Sequence, residues 1–238
     1  MNLLLKLFLA HLIGDFLLQP GRWVKNKEEK KLAAWQLYAH SILHGVLVLL
    51  FLWSWQAWKY ALLITVIHFI IDSFKLTFQN KRNRRLLFFI DQALHFISIY
   101  LIWLWLASQS FPVYIFENKT FLLLLTGIIF LTNPVSFGVK IFISKWTPEP
   151  QGQSSDSLQS AGKYIGIFER LLVFIFIIIH QWAAIGFLLA AKSVFRFGDL
   201  KEAKDRKLTE YVLIGTLLSF GTAIFIGLIF NYTLGAGI

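Results

Sequence analysis

Apolar residues run through the chain in long blocks, at about 2–19, 34–55, 58–79, 86–108, 120–144, 164–180, 183–197 and 209–230. Blocks of this length and hydropathy are read as helices that cross a bilayer, with or without tilt. The pattern predicts an all-α polytopic membrane bundle of about eight transmembrane helices. The sixth and seventh blocks are separated only by Gln181 and Trp182, which leaves a tight hairpin, a re-entrant pair or one long broken helix.

Polar side chains interrupt the first four blocks in pairs of one spacing: His11 with Asp15, His40 with His44, His68 with Asp72, and Asp91 with His95. Each is an i, i+4 pair, which on a helix puts both side chains on one face about a turn apart. The first and third blocks both read His-x-x-x-Asp, a weak internal repeat that fits either duplication or convergence on one site.

Composition bears out the membrane reading. The chain of 238 residues is 57% hydrophobic, above the roughly 45–50% of soluble domains. Cysteine is absent, so any metal must be held by nitrogen and oxygen. The net charge of +10 would point to nucleic acid on a soluble protein. Here Lys and Arg cluster between apolar blocks, as in loops facing anionic lipid, and nucleic-acid binding is not expected.

Those basic residues also set an expected orientation. Arg22, Lys25, Lys27, Lys30 and Lys31 follow the first block, and Lys81, Arg82, Arg84 and Arg85 follow the third. The positive-inside rule places both loops in the cytoplasm, with the basic stretches near 145–163 and 201–207 on the same side if all eight blocks cross. Both termini then lie outside. The block at 3–18 lacks a charged leading region and a small-residue cleavage site and is expected to be a retained span. The Pro-, Gly- and Ser-containing stretch at 146–163 reads as a flexible cytosolic loop between a five-span part, 1–145, and a three-span part, 164–238, of a single membrane domain. The runs 25–31 and 201–207 are expected to be solvated or lipid-surface faces.

Depth ties the four pairs together. Counted from the expected cytosolic ends, Asp15, His40, Asp72 and Asp91 form one layer, and His11, His44, His68 and His95 a second about 6 Å deeper at 1.5 Å per residue. A charged Asp in mid-membrane costs about 2.5–3.5 kcal/mol, so these groups should face inward and have partners. The set suits one or two divalent ions, zinc or manganese foremost and iron as an alternative. Asp15, Asp72 and Asp91 are also candidates for a general base. A proton or ion pathway, or interhelical polar pairing alone, would use the same residues. Gln19 and Gln92 lie beside the cluster as orienting or substrate-binding amides. Lys192 and Arg196, again i, i+4, are candidates for an anionic headgroup site. His180 sits at the wrong level and is left out, and no phosphate loop or nucleophile elbow is present.

The segments HLIGDFLLQP, HFIIDSFK, FIDQALH, IGIFERLL, AIGFLLAAKSVFRF and EYVLIGTLLSF resemble an uncharacterised family of bacterial integral membrane proteins. The His and Asp pattern more distantly resembles inner-membrane proteins described as metal-dependent hydrolases. The resemblance implies a multi-pass protein of the bacterial inner membrane. Together with the residues it gives the leading expectation of a membrane-embedded, metal-dependent hydrolase of a lipid-like or membrane-accessible ester or phosphoester, acting in the cytosolic half of the bilayer. A divalent-cation or proton-coupled transporter or channel, a di-iron membrane oxidoreductase and a small-molecule receptor are the alternatives. A transporter would need helix breaks, and Gly14 and Gly45 are the positions in the first four blocks that would permit them. The oligomeric state is left open.

Overall fold

A computed structural model describes residues 1–108, 118–146, 156–197 and 206–235, with side chains at 1–108, 118–146, 162–194 and 210–235. Ten α-helices follow in order: α1 (Asn2–Phe16), α2 (Gly21–Lys30), α3 (Trp35–Leu52), α4 (Trp58–Phe78), α5 (Arg84–Ala107), α6 (Lys119–Leu131), α7 (Asn133–Ile143), α8 (Asp156–Ile178), α9 (Trp182–Phe197) and α10 (Arg206–Leu234). No strand occurs among the described residues.

Five segments are long and apolar enough to cross a membrane: Trp35–Leu52, Trp55–Phe78, Arg84–Ala107, Lys119–Ile143 and Glu210–Leu234. A sixth is added if α1 and α2, bent by 77°, form one broken span, and Trp182–Val194 is a shorter apolar helix. The chain is a membrane protein on this reading, with five or six of the eight expected spans meeting the length and hydropathy requirement among the described residues.

The chain packs as two compact units, Met1–Thr126 and Gly127–Ile238. In the first, α3 packs on α1 and α4, and α5 packs on α4 and α1, which closes a ring of four helices around one interior. One end of that interior is apolar, with Leu7, Val48, Leu52, Ile64, Ile99 and Leu106 in its core. The other end holds the His and Asp pairs.

The first apolar block does not continue to residue 19 as a helix. Pro20 disfavours helical backbone at Gln19, and Pro20 itself is extended, with φ −63° and ψ 146°. The N–H groups of Leu17 and Leu18 both turn back to the Ile13 carbonyl, at 3.1 and 2.9 Å, and α2 then leaves in a new direction. α2 stops at Lys31, whose φ of 52° ends the helix before a short 3-10 turn leads into α3.

Gly14 and Gly45 lie inside continuous helices and break neither. Gly45 is instead a contact point between α3 and α4. A Cβ there would lie 2.2 Å from Thr65 Oγ1 and 3.1 Å from the Ala61 carbonyl oxygen. Small residues allow such close approach between membrane helices, where dispersion and hydrogen bonds replace the hydrophobic drive.

In the second unit, α8 packs on α7, α9 and α10. The break between α6 and α7 falls at Thr132, ahead of Asn133 and Pro134, and frees backbone carbonyls. Arg170 of α8 satisfies them. It is 3% exposed, and its guanidinium donates to the carbonyls of Leu131 (2.6 Å) and Thr132 (3.2 Å), to Ser219 Oγ (3.1 Å) and to Ser136 Oγ. The carbonyl end of α6 also carries partial negative charge, which suits a buried cation. α8 and α9 form a hairpin that turns at His180, where φ is 58°. Lys192 Nζ and a Glu169 carboxylate oxygen meet at 2.5 Å, so residues at similar distances from the turn lie side by side.

Gly45→Ala should lower stability by about 1–3 kcal/mol through overpacking. Thr65→Ala on that background should recover part of the loss, leaving the contact with the Ala61 carbonyl, and unfolding in detergent micelles checks both.

Candidate metal centre

The four i, i+4 pairs arrive on α1, α3, α4 and α5, and ring closure turns all of them inward. His11, His40, His44, His68, Asp72, Asp91 and His95 are each at most 5% exposed, and the Asp15 side chain is 10% exposed. All eight side chains join one cluster, and all five imidazoles turn Nε2 towards it.

Asp15 is the hub of one half. Its Oδ1 lies 3.1 Å from both His40 Nε2 and His44 Nε2 and 3.5 Å from His68 Nε2. Its Oδ2 lies 3.7 Å from His11 Nε2 and accepts a hydrogen bond from Gln92 Nε2 at 2.9 Å. The other half centres on His95, whose Nε2 is 3.6 Å from Asp72 Oδ1 and 3.6 Å from Asp91 Oδ1. His40 Nε2 and His68 Nε2, 3.2 Å apart, join the halves.

Three overlapping sets bring their ligand atoms within 4.8 Å of one another: His11, Asp15, His44 and His68; His40, His68 and Asp72; and Asp72, Asp91 and His95. These buried groups could hold a metal ion. The donor chemistry is nitrogen and oxygen throughout, which suits zinc, manganese or iron. His11 Nε2, His95 Nε2 and Asp91 Oδ1 are buried without a hydrogen-bond partner. Leaving such a group unmatched costs about 1–3 kcal/mol, so three within one buried cluster mark a place where a ligand fits.

Packing sets the imidazole positions. His44, His68 and His95 form a stack with ring centroids 3.7 and 4.0 Å apart, and His11 lies 5.0 Å from His95. Gly14 makes room for this stack: a Cβ on it would lie 2.5 Å from His44 Cε1 and 2.7 Å from Nε2. A cavity of about 10 Å³, near the lower limit for one water, lies against His11, His44, His68 and His95. Leu7, Val48, Ile64 and Ile99 line its far side, so the deep end of the cluster is closed by apolar side chains.

The shallow end has a different boundary. Lys27 Nζ donates to Asp72 Oδ2 at 2.6 Å, and Lys75 Nζ donates to Asp91 Oδ2 at 2.7 Å. Lys27 is 6% exposed, which corrects the expectation that the whole 25–31 run is a solvated face. The turn at Pro20 brings it there by folding α2 back over the cluster. Lys31 Nζ donates to the Leu76 carbonyl at 2.7 Å, and Glu28 pairs with Arg84 at 2.9 Å and accepts from Gln79 at 2.9 Å. The basic loops after α1 and α4 therefore share one side.

Two participating residues are absent from the sequence-derived set. Lys75 had a signal: it follows Asp72 by three residues and His68 by seven, on the same helical face. Lys27 had none, since its neighbours in the charged run, Lys25 and Glu29, pair with each other in solvent.

Of the proposed auxiliary residues, Gln92 bridges two carboxylates, donating to Asp15 Oδ2 and, at 3.2 Å, to Asp91 Oδ2. Gln19 keeps a buried Nε2 without a hydrogen-bond partner. Lys192 is paired with Glu169 inside the second unit. The Arg196 side chain and residues 147–155 of the expected 146–163 loop lie outside the described residues, and 156–163 are the first turns of α8 and not a loop.

Comparison with known families adds one finding. Residues 3–122, half of the chain, match the family model described as "Protein of unknown function (DUF3307)". The chain belongs to the DUF3307 family. The match spans nearly the whole first unit, Met1–Thr126, and all eight members of the cluster. No curated protein and no solved structure matches the chain. DUF3307 membership thus carries no assigned activity, and the site itself is the source of any functional reading.

Gly14→Ala should push the His44 ring off Gly14 and destabilise the unit by about 1–3 kcal/mol. Combined with His44→Ala, it should cost clearly less than the two single changes together. A double-mutant cycle by denaturant unfolding in micelles measures this coupling.

Proposed function

We propose that the first unit is a membrane-embedded metal centre with hydrolytic chemistry, acting on a lipid-like or otherwise membrane-accessible ester or phosphoester. The observation that carries the proposal is the convergence of five Nε2 atoms and three carboxylates in a buried site where His11 Nε2, His95 Nε2 and Asp91 Oδ1 have no hydrogen-bond partner. Hydrogen bonding between helices alone would leave fewer such atoms unmatched.

His11, Asp15, His44 and His68 form the primary ligand set of this reading. A bound divalent ion would supply Lewis acidity and lower the pKa of a coordinated water. The residues around it have separable tasks. Gln92 fixes the Asp15 carboxylate through its Oδ2. Asp91, with Oδ1 free of hydrogen bonds and Oδ2 held by Lys75, is the candidate proton acceptor. Leu7, Val48, Ile64 and Ile99 exclude water from the deep side.

Substrate would enter from the end covered by α2. Arg84 and the neighbouring basic residues border that end, which the positive-inside rule would put at the cytosolic leaflet. Anionic lipid-like substrates suit such a rim. The same geometry weighs against a transporter, because α3, α4 and α5 run unbroken past the cluster and apolar side chains close its deep end, with the one break next to it following Asp15 at the end of α1. Three carboxylates among the eight donors weigh against a di-iron membrane oxidoreductase, whose ligation is His-dominated.

The test joins metal analysis with turnover. Purified protein should carry stoichiometric zinc or manganese and hydrolyse a fluorogenic phosphoester lipid in vesicles. His68→Ala should retain the fold, lose metal affinity by tenfold or more and lose turnover. Folded wild-type protein with no bound transition metal would remove the proposal. Stoichiometric iron without hydrolysis would redirect it to redox chemistry.

A further inference from the structure

The cluster holds three carboxylates and two ammonium groups, and their arrangement has a direction. Asp72 and Asp91 each turn Oδ1 inward, to 3.6 Å from His95 Nε2, and each turn Oδ2 outward to a lysine. Each lysine thus neutralises one carboxylate from behind and leaves its inner oxygen facing the imidazoles. Lys27 comes from α2 and Lys75 from α4, so two separate elements supply the two cations.

We infer that Lys27 and Lys75 stand in for a second metal ion, so that the site binds one divalent cation although it has ligands enough for two. The inference rests on the metal-centre reading above. With every imidazole neutral, as metal ligation requires, three carboxylates and two ammonium groups leave one net negative charge. One divalent ion converts this to one positive charge, which a buried site tolerates when an anionic ligand is at hand. A second divalent ion would leave three positive charges in a site whose eight imidazole and carboxylate side chains are at most 10% exposed, where burial amplifies repulsion. The set Asp72, Asp91 and His95 is sterically able to hold an ion, and its Asp91 Oδ1 and His95 Nε2 are buried without hydrogen-bond partners. The resident ammonium groups are what close it to a second cation.

Removing those charges should open the second position. In Lys27→Met/Lys75→Met, the carboxylates lose their compensating cations, and Asp72, Asp91 and His95 become an anionic ligand set suited to zinc. The full chain in nanodiscs is dialysed to equilibrium against excess zinc and its metal content is read by elemental analysis. Wild type is expected to bind one zinc per chain and the double variant two. Adding Asp91→Asn to the double variant should return the value to one. Lys27→Arg/Lys75→Arg should stay at one.

Two zinc ions in wild type would overturn the inference while leaving the metal-centre reading intact. One zinc in both wild type and the double variant would do the same. No zinc in folded wild type would overturn both. The double variant buries two uncompensated carboxylates and is expected to be less stable than wild type without zinc. A rise in its thermal midpoint with added zinc, larger than that of wild type, is the second readout, and equal shifts would contradict the inference. The single variant Lys75→Met, whose parent side chain is the more exposed of the two lysines, keeps the test usable if the double variant does not fold.

Discussion

An uncompensated charge inside a membrane bundle is costly, and the architecture of the first unit follows from compensating three of them. Asp15, Asp72 and Asp91 sit on three helices that close a ring with α3. Each carboxylate has a second oxygen that the imidazoles do not reach at hydrogen-bonding distance, and each of those oxygens is held by a donor: Gln92 for Asp15, Lys27 for Asp72, Lys75 for Asp91. This outer layer fixes the orientation of the inner oxygens, the role that surrounding groups play at metal sites in general. The backbone adapts to the same requirement. The turn at Pro20 matters because it folds α2 back to deliver Lys27, and Gly14 matters because His44 needs the space a side chain would fill.

Helix positions and the composition of the cluster were legible in the sequence because both depend on local spacing. Apolar length marks helices, and i, i+4 spacing together with depth puts His11, Asp15, His40, His44, His68, Asp72, Asp91 and His95 on inward faces at one level. The reorientation after α1 was less legible. Leu17, Leu18 and Gln19 read as a continuation of an apolar run, and the effect of Pro20 on the preceding residues carries the break. Lys27 was hidden for a different reason: its burial is a tertiary consequence of that turn, and nothing in GRWVKNKEEK separates it from its solvated neighbours. Gly45 looked like a possible hinge, whereas its role is to let α3 and α4 approach within the reach of Thr65.

The two units divide these tasks. The stretch matched by the DUF3307 model coincides with the unit that carries the cluster. The second unit spends its buried polar groups on structure: Arg170 knits the broken α6–α7 segment, Lys192 and Glu169 tie the α8–α9 hairpin, and Asn231 donates to the Ile177 carbonyl at 3.1 Å.

The central claim is that imidazole and carboxylate groups of the first unit ligate one ion directly. X-ray absorption spectroscopy of the zinc-loaded protein tests it at the metal itself. The account predicts a first shell of nitrogen and oxygen at about 2.0–2.2 Å, with the outer-shell scattering of two or more imidazoles that diminishes in His44→Ala. A shell of oxygen alone, without imidazole scattering and unchanged by that substitution, would contradict it.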